Sequence, residues 1–285
     1  MIYRDRAAWD GSPHKRIALF GMSGLGKTVI SDMLRQQGDW FHYSVDYRIG
    51  TRYMGEHIVD NFKREAMKVP FLRDLLRSDS IYIGSNITFR NLDPLSTYLG
   101  KPGDPERGGI PFAEYQRRQA QHREAEQAAL LDAVPFVARA QDIYGYAHFV
   151  CDTGGSICEV VDANDPADPI LTALTSHMLL IWLRGSDAHT EELVARFDRE
   201  PKPMYYPPAE LLTNWADYRA ETGEAEHRVN PDQFVRWSYR RLLETRQARY
   251  AAMARWGVTL DMEEVKRARS AADILDVIGD AITRA

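Results

Sequence analysis

Gly21-Met-Ser-Gly-Leu-Gly-Lys-Thr28 fits the pattern G-x-x-x-x-G-K-[ST] at every fixed position. Such a loop needs a strand before it and a helix after it, and both are written in the flanks. Arg16-Ile-Ala-Leu-Phe20 is short, apolar and bounded by polar residues, as a buried parallel strand is. Thr28 to Gln37 puts Val29, Met33 and Leu34 at helical spacing and stops at Gly38. Together these segments predict an anion cradle. The backbone of Gly21, Met22, Ser23, Gly24, Leu25 and Gly26 wraps a β-phosphate, the Lys27 ammonium bridges β- and γ-phosphates, and the Thr28 hydroxyl ligates Mg²⁺. The expected ligand is a nucleoside triphosphate.

Composition narrows the class. A chain of 285 residues suits one large domain, or one with a sizeable insertion. A net charge of −5 gives no basic field for nucleic acid or an anionic membrane surface. Apolar runs are only strand-length, and Met1 to Arg6 lacks the apolar core of a secretory signal. The two cysteines, Cys151 and Cys158, are too few for a disulfide framework, so a cytoplasmic protein with reduced thiols is expected.

Four more segments look like strands: Trp40 to Val45, Tyr146 to Cys151, Met178 to Leu183 and Gly257 to Leu260. Helical stretches separate them, which predicts an α/β protein with a parallel sheet covered on both faces. Right-handed crossovers then bring the strand ends, with Asp46 and Asp152, to the rim that carries the phosphate loop. Residues 47–142 form a long insertion between the second and third strands. It has a helix over 51–65, broken patterning over 66–112, a loop over 101–109 and a charged helix over 112–140. An insertion at that rim suits acceptor recognition or a protein partner bound through 66–112. The Pro- and Tyr-rich stretch between 200 and 231 reads as irregular.

Beyond the loop, the chain resembles the shikimate kinase and gluconate kinase group of small P-loop kinases. Ser44-Val-Asp46-Tyr-Arg-Ile49 falls where those enzymes carry D-x-D-x-x-I, and Thr153-Gly-Gly-Ser156 where they carry a glycine triplet. Arg246-Gln-Ala-Arg-Tyr250, followed by Ala254, looks like their R-x-x-x-Y-x-x-x-A helix. Arg196 and then Lys202-Pro203 follow the order of their lid. The likeness covers about two-thirds of the chain, and 63–111 has no counterpart. It implies a five-stranded sheet ordered 2-3-1-4-5, a single kinase-like domain over 1–285, and a lid-like segment over 196–230. Ser44, Ser156 and Lys202 depart from the group's pattern, which implies an acceptor other than the group's usual one.

Individual residues sharpen the expectation. Asp46 ends a strand on the rim and is placed to orient an acceptor hydroxyl, although a turn or cap aspartate looks the same. Asp152 has the hydrophobic-strand-then-aspartate form that holds Mg²⁺ through its water shell, with Thr28 as its companion. Gly154 and Gly155 allow either a ligand or another backbone to come close. Arg246 falls on the inward stripe Val235, Tyr239, Leu242, Arg246, Tyr250, Met253 of a helix starting at Asn230-Pro231. A charge there needs a partner, either an acidic acceptor group or an internal carboxylate. Arg196 and Arg199 are candidate lid cations over the γ-phosphate, or salt-bridged members of a solvated helix face. Arg48 and Arg118 are candidate acceptor-binding cations within the insertion, or surface residues. Tyr205, Tyr206, Trp215 and Tyr218 either stack on a base or pack a loop.

The function expected is ATP- and Mg²⁺-dependent phosphoryl transfer to a hydroxyl of a small, anionic metabolite. The alternatives are an NTPase whose hydrolysis switches a partner interaction, and a nucleotide or nucleotide-sugar kinase. No nucleic-acid or membrane partner is expected.

Overall fold

The computed structural model describes residues 2–285. Five strands form one parallel sheet: β1 Arg16–Phe20, β2 Trp40–Ser44, β3 His148–Asp152, β4 Leu179–Arg184 and β5 Val258–Asp261. Their order is β2-β3-β1-β4-β5, with every neighbouring pair parallel. Ile17, Ala18, Leu19 and Phe20 of the central strand are fully buried. Successive side chains leave a strand on opposite faces, so a strand buried at four consecutive positions is covered on both sides. With the phosphate loop after the central strand and an aspartate closing its neighbour, this is the three-layer α/β fold of P-loop NTPases.

The edge strand β2 is held by aromatic packing. Phe41 stacks on Phe149 at 5.7 Å and on Tyr144 at 5.5 Å, and the Tyr43 hydroxyl donates to Ala129 O at 2.7 Å. No helix among the described residues is long and apolar enough to cross a membrane.

The chain divides into two compact units. The first is Met1–Val45, Glu126–Glu200 and Ser238–Ala285, and it contains the sheet and the phosphate loop. The second is Asp46–Ala125 with Pro201–Trp237. The insertion expected over 47–142 therefore belongs to the second unit only as far as Ala125. Inside the second unit, Phe112 stacks on Trp215 at 4.5 Å, and Trp215 meets Phe234 edge-on at 4.9 Å. Tyr205, Tyr206, Trp215 and Tyr218 are all buried, so this aromatic cluster packs a core.

Several local expectations are corrected. The strand at Trp40 ends at Ser44, and Asp46 lies in a short helix, Val45–Arg48, rather than at a strand end. The helix expected over 51–65 is a π-turn, Ile49–Tyr53, followed by an α-helix, Gly55–Ala66. The wide turn is closed by Met54 N–H donating to Ile49 O at 2.8 Å. Residues 66–112 hold two α-helices, Pro70–Arg77 and Asp93–Leu99, and one turn of 3-10 helix, Pro105–Arg107. The stretch read as irregular contains a fifteen-residue helix, Pro208–Thr222. Pro207 and Pro208 start that helix, because proline in the first turn lacks an N–H that would have had no partner there anyway.

Candidate functional site

The phosphate loop joins β1 to the helix Lys27–Arg35. Gly26 caps that helix with φ +89°, a left-handed conformation that only glycine adopts without strain. A side chain at Gly21 would meet Leu183 O of the neighbouring strand at 2.6 Å. The loop can follow its path only with glycine at both places.

The result is a ring of donors. Among the described residues, the backbone N–H groups of Ser23, Gly24 and Gly26 have no acceptor. Ser23, Gly24 and Thr28 are exposed, whereas Lys27 is buried to 6% exposure. The Lys27 ammonium donates to Gly21 O at 2.9 Å and to Met22 O at 3.1 Å, which folds it back over the start of the loop. Unsatisfied amides at a helix N-terminus together with an ammonium make a site for a phosphate group.

Beside the loop, the Thr28 hydroxyl donates to Asp152 Oδ2 at 2.8 Å. Gly154 N–H donates to Asp152 Oδ1 at 3.2 Å, and Thr153 is tied to Leu19 O through both its N–H and its hydroxyl. Asp152 is thus buried, oriented and one hydrogen bond from the threonine. A hydroxyl and a carboxylate side by side are hard oxygen donors. They fit Mg²⁺, which keeps several waters and takes the rest of its shell from phosphate oxygens. Ser44 stands opposite Asp152 in the β2–β3 register and supplies no charge. His42, two residues back on β2, is pushed below its ordinary pKa by burial, against the pull of Asp152 and Asp32.

The turn after β3 supports the loop directly. A side chain at Gly155 would fall 2.3 Å from Ser23 Oγ, so Gly155 lies directly against the Ser23 hydroxyl of the loop. Gly154 makes the turn with φ +76°. Tyr250 Oη donates to Gly155 O, and Ser156 Oγ donates to the buried Glu126 at 2.8 Å.

The inward stripe expected on the helix Pro231–Ala254 is buried at all six positions. Asn230 Oδ1 accepts from Asp232 and Gln233 N–H, as a cap should. Arg246 finds an internal carboxylate: its Nε and Nη2 donate to Glu159 at 3.0 and 2.7 Å, with both side chains essentially inaccessible. Burial opposes the Arg246 charge, yet Glu159 outweighs it and holds the guanidinium charged far above its ordinary range. Arg249 Nη1 lies 3.9 Å from the same carboxylate. Glu159 carried no signal in the sequence, since one glutamate in a turn looks like any other.

Arg196 comes from the helix Asp187–Arg199 and reaches the phosphate loop. A side chain built at Gly24 would meet Arg196 Nη2 at 2.5 Å. Arg196 has no ion pair among the described residues. Arg199, three residues on, is exposed.

Asp46, Arg48 and Arg118 belong to the second unit. Asp46 is half-buried, and Arg48 lies 5.9 Å over the Tyr53 ring. Arg118, expected as an acceptor-binding or surface cation, is buried. Its guanidinium is taken up by Glu114 at 2.7 Å, Asn61 at 3.0 Å and Tyr98 O, so it ties helices of that unit together.

The chain matches no family model and no curated protein. Among solved structures it is similar to a shikimate kinase from Bacteroides thetaiotaomicron, at 14% identity over 95% of each chain, with a TM-score of 0.39. The fold assigned above rests on the strand order and the loop, independently of that likeness.

Proposed function

We propose that this chain is an ATP- and Mg²⁺-dependent phosphotransferase acting on a hydroxyl of a small molecule. The observation that carries the reading is the single arrangement of open amides, Lys27, Thr28 and Asp152 around one loop. Gly21 to Gly26 hold the phosphates through backbone N–H groups, and Lys27 trades its two carbonyls for phosphate oxygens. Thr28 and Asp152 hold the metal, which when bound neutralises charge on the β- and γ-phosphate oxygens. Arg196, lying against Gly24, adds a second cation where charge spreads over the transferred group.

Asp46 is our candidate for orienting the acceptor hydroxyl, from its place two residues beyond Ser44. Of the arginines expected to read a negative acceptor, Arg246 is paired with Glu159 and Arg118 with Glu114. We therefore propose a hydroxyl acceptor without requiring it to be anionic.

An ATP-consumption screen against pooled metabolites, nucleosides and sugar nucleotides tests the proposal. ATP consumption should depend on a small-molecule acceptor and fall by about 100-fold or more in Lys27→Met, the scale of losing one aimed electrostatic contact. With the acceptor in hand, Asp46→Ala should lower turnover by about 100-fold, the lower end of the range for a positioned acid or base. Consumption that ignores every acceptor and rises with a protein partner would make the chain a switch NTPase instead.

A further inference from the structure

The phosphate loop leaves one end of β1, and Arg16 opens the other. Around Arg16 lies a cavity of about 560 Å³. Ile2, Tyr3, Ala7 and Ala8 of the N-terminal segment form its apolar wall, and His177, the last residue of the helix Pro169–His177, lies on its polar side. The volume suits a small organic molecule. The apolar wall is tied to the sheet. Tyr3 is buried, and its hydroxyl donates to His14 O at 3.2 Å while accepting from Arg16 N–H at 2.8 Å.

The open polar groups of this cavity are few, and each has a definite sign. Among the described residues no carboxylate lines it, in a chain with 41 aspartates and glutamates. The half-buried Arg16 guanidinium makes no hydrogen bond or ion pair among the described residues. Arg6, Arg246 and Arg249, the other arginines of the sheet-bearing unit that are at least half-buried, each meet a carboxylate. A partly desolvated cation without a counter-charge favours an anion beside it. His177 supplies an independent pointer. Its Nδ1 lies 2.9 Å from Ala173 O, and a carbonyl only accepts, so Nδ1 carries the proton and Nε2 presents a lone pair. That lone pair has no donor among the described residues. The Ser176 hydroxyl, which donates to Thr172 O at 2.7 Å, likewise keeps only accepting capacity. His14, by contrast, meets Ala147 O and the Gln141 amide. The cavity therefore offers one unpaired cation and two open acceptors.

We propose that this cavity binds a small monocarboxylate that carries a hydrogen-bond donor beside its charge and an apolar body. The carboxylate takes the Arg16 fork, the donor meets His177 Nε2, and the body lies against Ile2, Ala7, Ala8 and the Tyr3 ring. One guanidinium balances one negative charge, which favours a carboxylate over a phosphate dianion. The site is at the far end of β1 from the phosphate loop, and its occupation does not depend on the phosphotransferase reading.

Isothermal titration of the full chain with N-benzoylglycine tests this at about pH 8, where an ordinary imidazole is neutral. N-benzoylglycinamide removes the charge of that probe, and N-benzoyl-N-methylglycine removes its donor. N-benzoylglycine should saturate one site per chain, and the uncharged amide should bind at least about tenfold more weakly. The N-methyl compound should lose about threefold, the scale of one hydrogen bond. Arg16→Gln, at a side chain with no partner to lose, should weaken N-benzoylglycine about tenfold and leave the amide unchanged. His177→Phe should weaken N-benzoylglycine about threefold and leave the N-methyl compound unchanged, because the donor and its acceptor are then removed as a pair. Equal binding of the acid and its amide, an unaffected Arg16→Gln, equal losses of both acids in His177→Phe, or no saturable heat from N-benzoylglycine would each overturn the proposal.

Discussion

At the residue scale, the contact between Gly155 and Ser23 couples the β3 turn to the phosphate loop. An alanine at 155 would push against Ser23 Oγ, and that hydroxyl can rotate, so the fold should survive with a cost of about 1 kcal/mol. The loop amides would move with Ser23, and nucleotide affinity should fall several-fold. Ser23→Ala removes the obstructing oxygen, so the pair Gly155→Ala with Ser23→Ala should recover much of the loss. A fluorescent-nucleotide titration of the four proteins gives the coupling, and strictly additive losses would contradict it. His42 makes a different claim. Burial holds its folded pKa below the ordinary value, so the native chain keeps it neutral where the unfolded chain takes up a proton. Its contribution is complete above about pH 6.5 and is lost as pH falls below that value. His148 is lowered by burial as well and acts in the same window. Urea denaturation at neutral and mildly acid pH should therefore show less acid loss for His42→Gln than for the natural chain, and an unchanged acid loss would count against it.

At the element scale, the Arg246–Glu159 pair joins the helix Pro231–Ala254 to the short helix Ile157–Val160 behind the β3 turn. Removing one partner of a buried pair leaves an uncompensated charge, so Glu159→Gln should cost about 3–5 kcal/mol. Replacing both, as Glu159→Leu with Arg246→Met, should recover most of that stability, because two well-packed apolar groups need no solvation. Denaturant midpoints of the three proteins decide it, and a Glu159→Gln cost below about 1 kcal/mol would mean that the pair is not dry. The same pair shows how far the sequence could be read. The inward stripe on this helix was visible because burial repeats every three or four residues, and that periodicity put Arg246 inside. Its partner lies 87 positions away in a four-residue helix too short to show a period of its own. The strands were legible to within one or two residues, as apolar runs between polar ends. The π-turn at Ile49–Tyr53 was not, because its hydrogen bonds leave no mark in a 3.6-residue pattern. The helix Pro208–Thr222 was hidden by its own prolines, which read as breakers although they sit at its start. At the candidate site the loop and Thr28 were legible because a motif fixes their spacing, and Asp152 because an aspartate follows an apolar strand. Arg196's contact with Gly24 depends on a helix angle that no motif records.

At the scale of the whole molecule, the second unit is assembled from two stretches, 46–125 and 201–237, and its interior lies where they meet. Phe112 stacks on Trp215, His122 stacks on Tyr205 at 5.1 Å, and the Tyr115 hydroxyl donates to Met204 O at 2.8 Å. Gln119 closes a further pair of bonds, donating to Met204 O at 3.1 Å and accepting from Tyr206 N–H at 2.9 Å. Lys101 meets Asp232 at 2.6 Å, and Asp104 N–H donates to Val229 O at 2.9 Å. Taken alone, 46–125 would bare Phe112 and Tyr115, each burying roughly 150–250 Å² when packed, and would leave the Gln119 amide in water. Ile49, Met54, Ile58, Leu95, Tyr98 and Leu99 are buried as well, but a segment of this length gains little net burial to offset the entropy of ordering its chain once the contacts with 201–237 are lost. Expressed by itself, 46–125 should therefore be largely unfolded, with weak helical circular dichroism and collapsed amide proton dispersion. Co-expressed with 201–237 as a second chain, it should recover helicity and melt cooperatively, because every contact named above is restored without a covalent link. Trp215→Ala in the 201–237 partner should abolish that rescue, since it removes the ring on which Phe112 stacks and which Phe234 meets edge-on. A well-dispersed spectrum from 46–125 alone would show that the unit's core lies within the first stretch and that 201–237 only covers it.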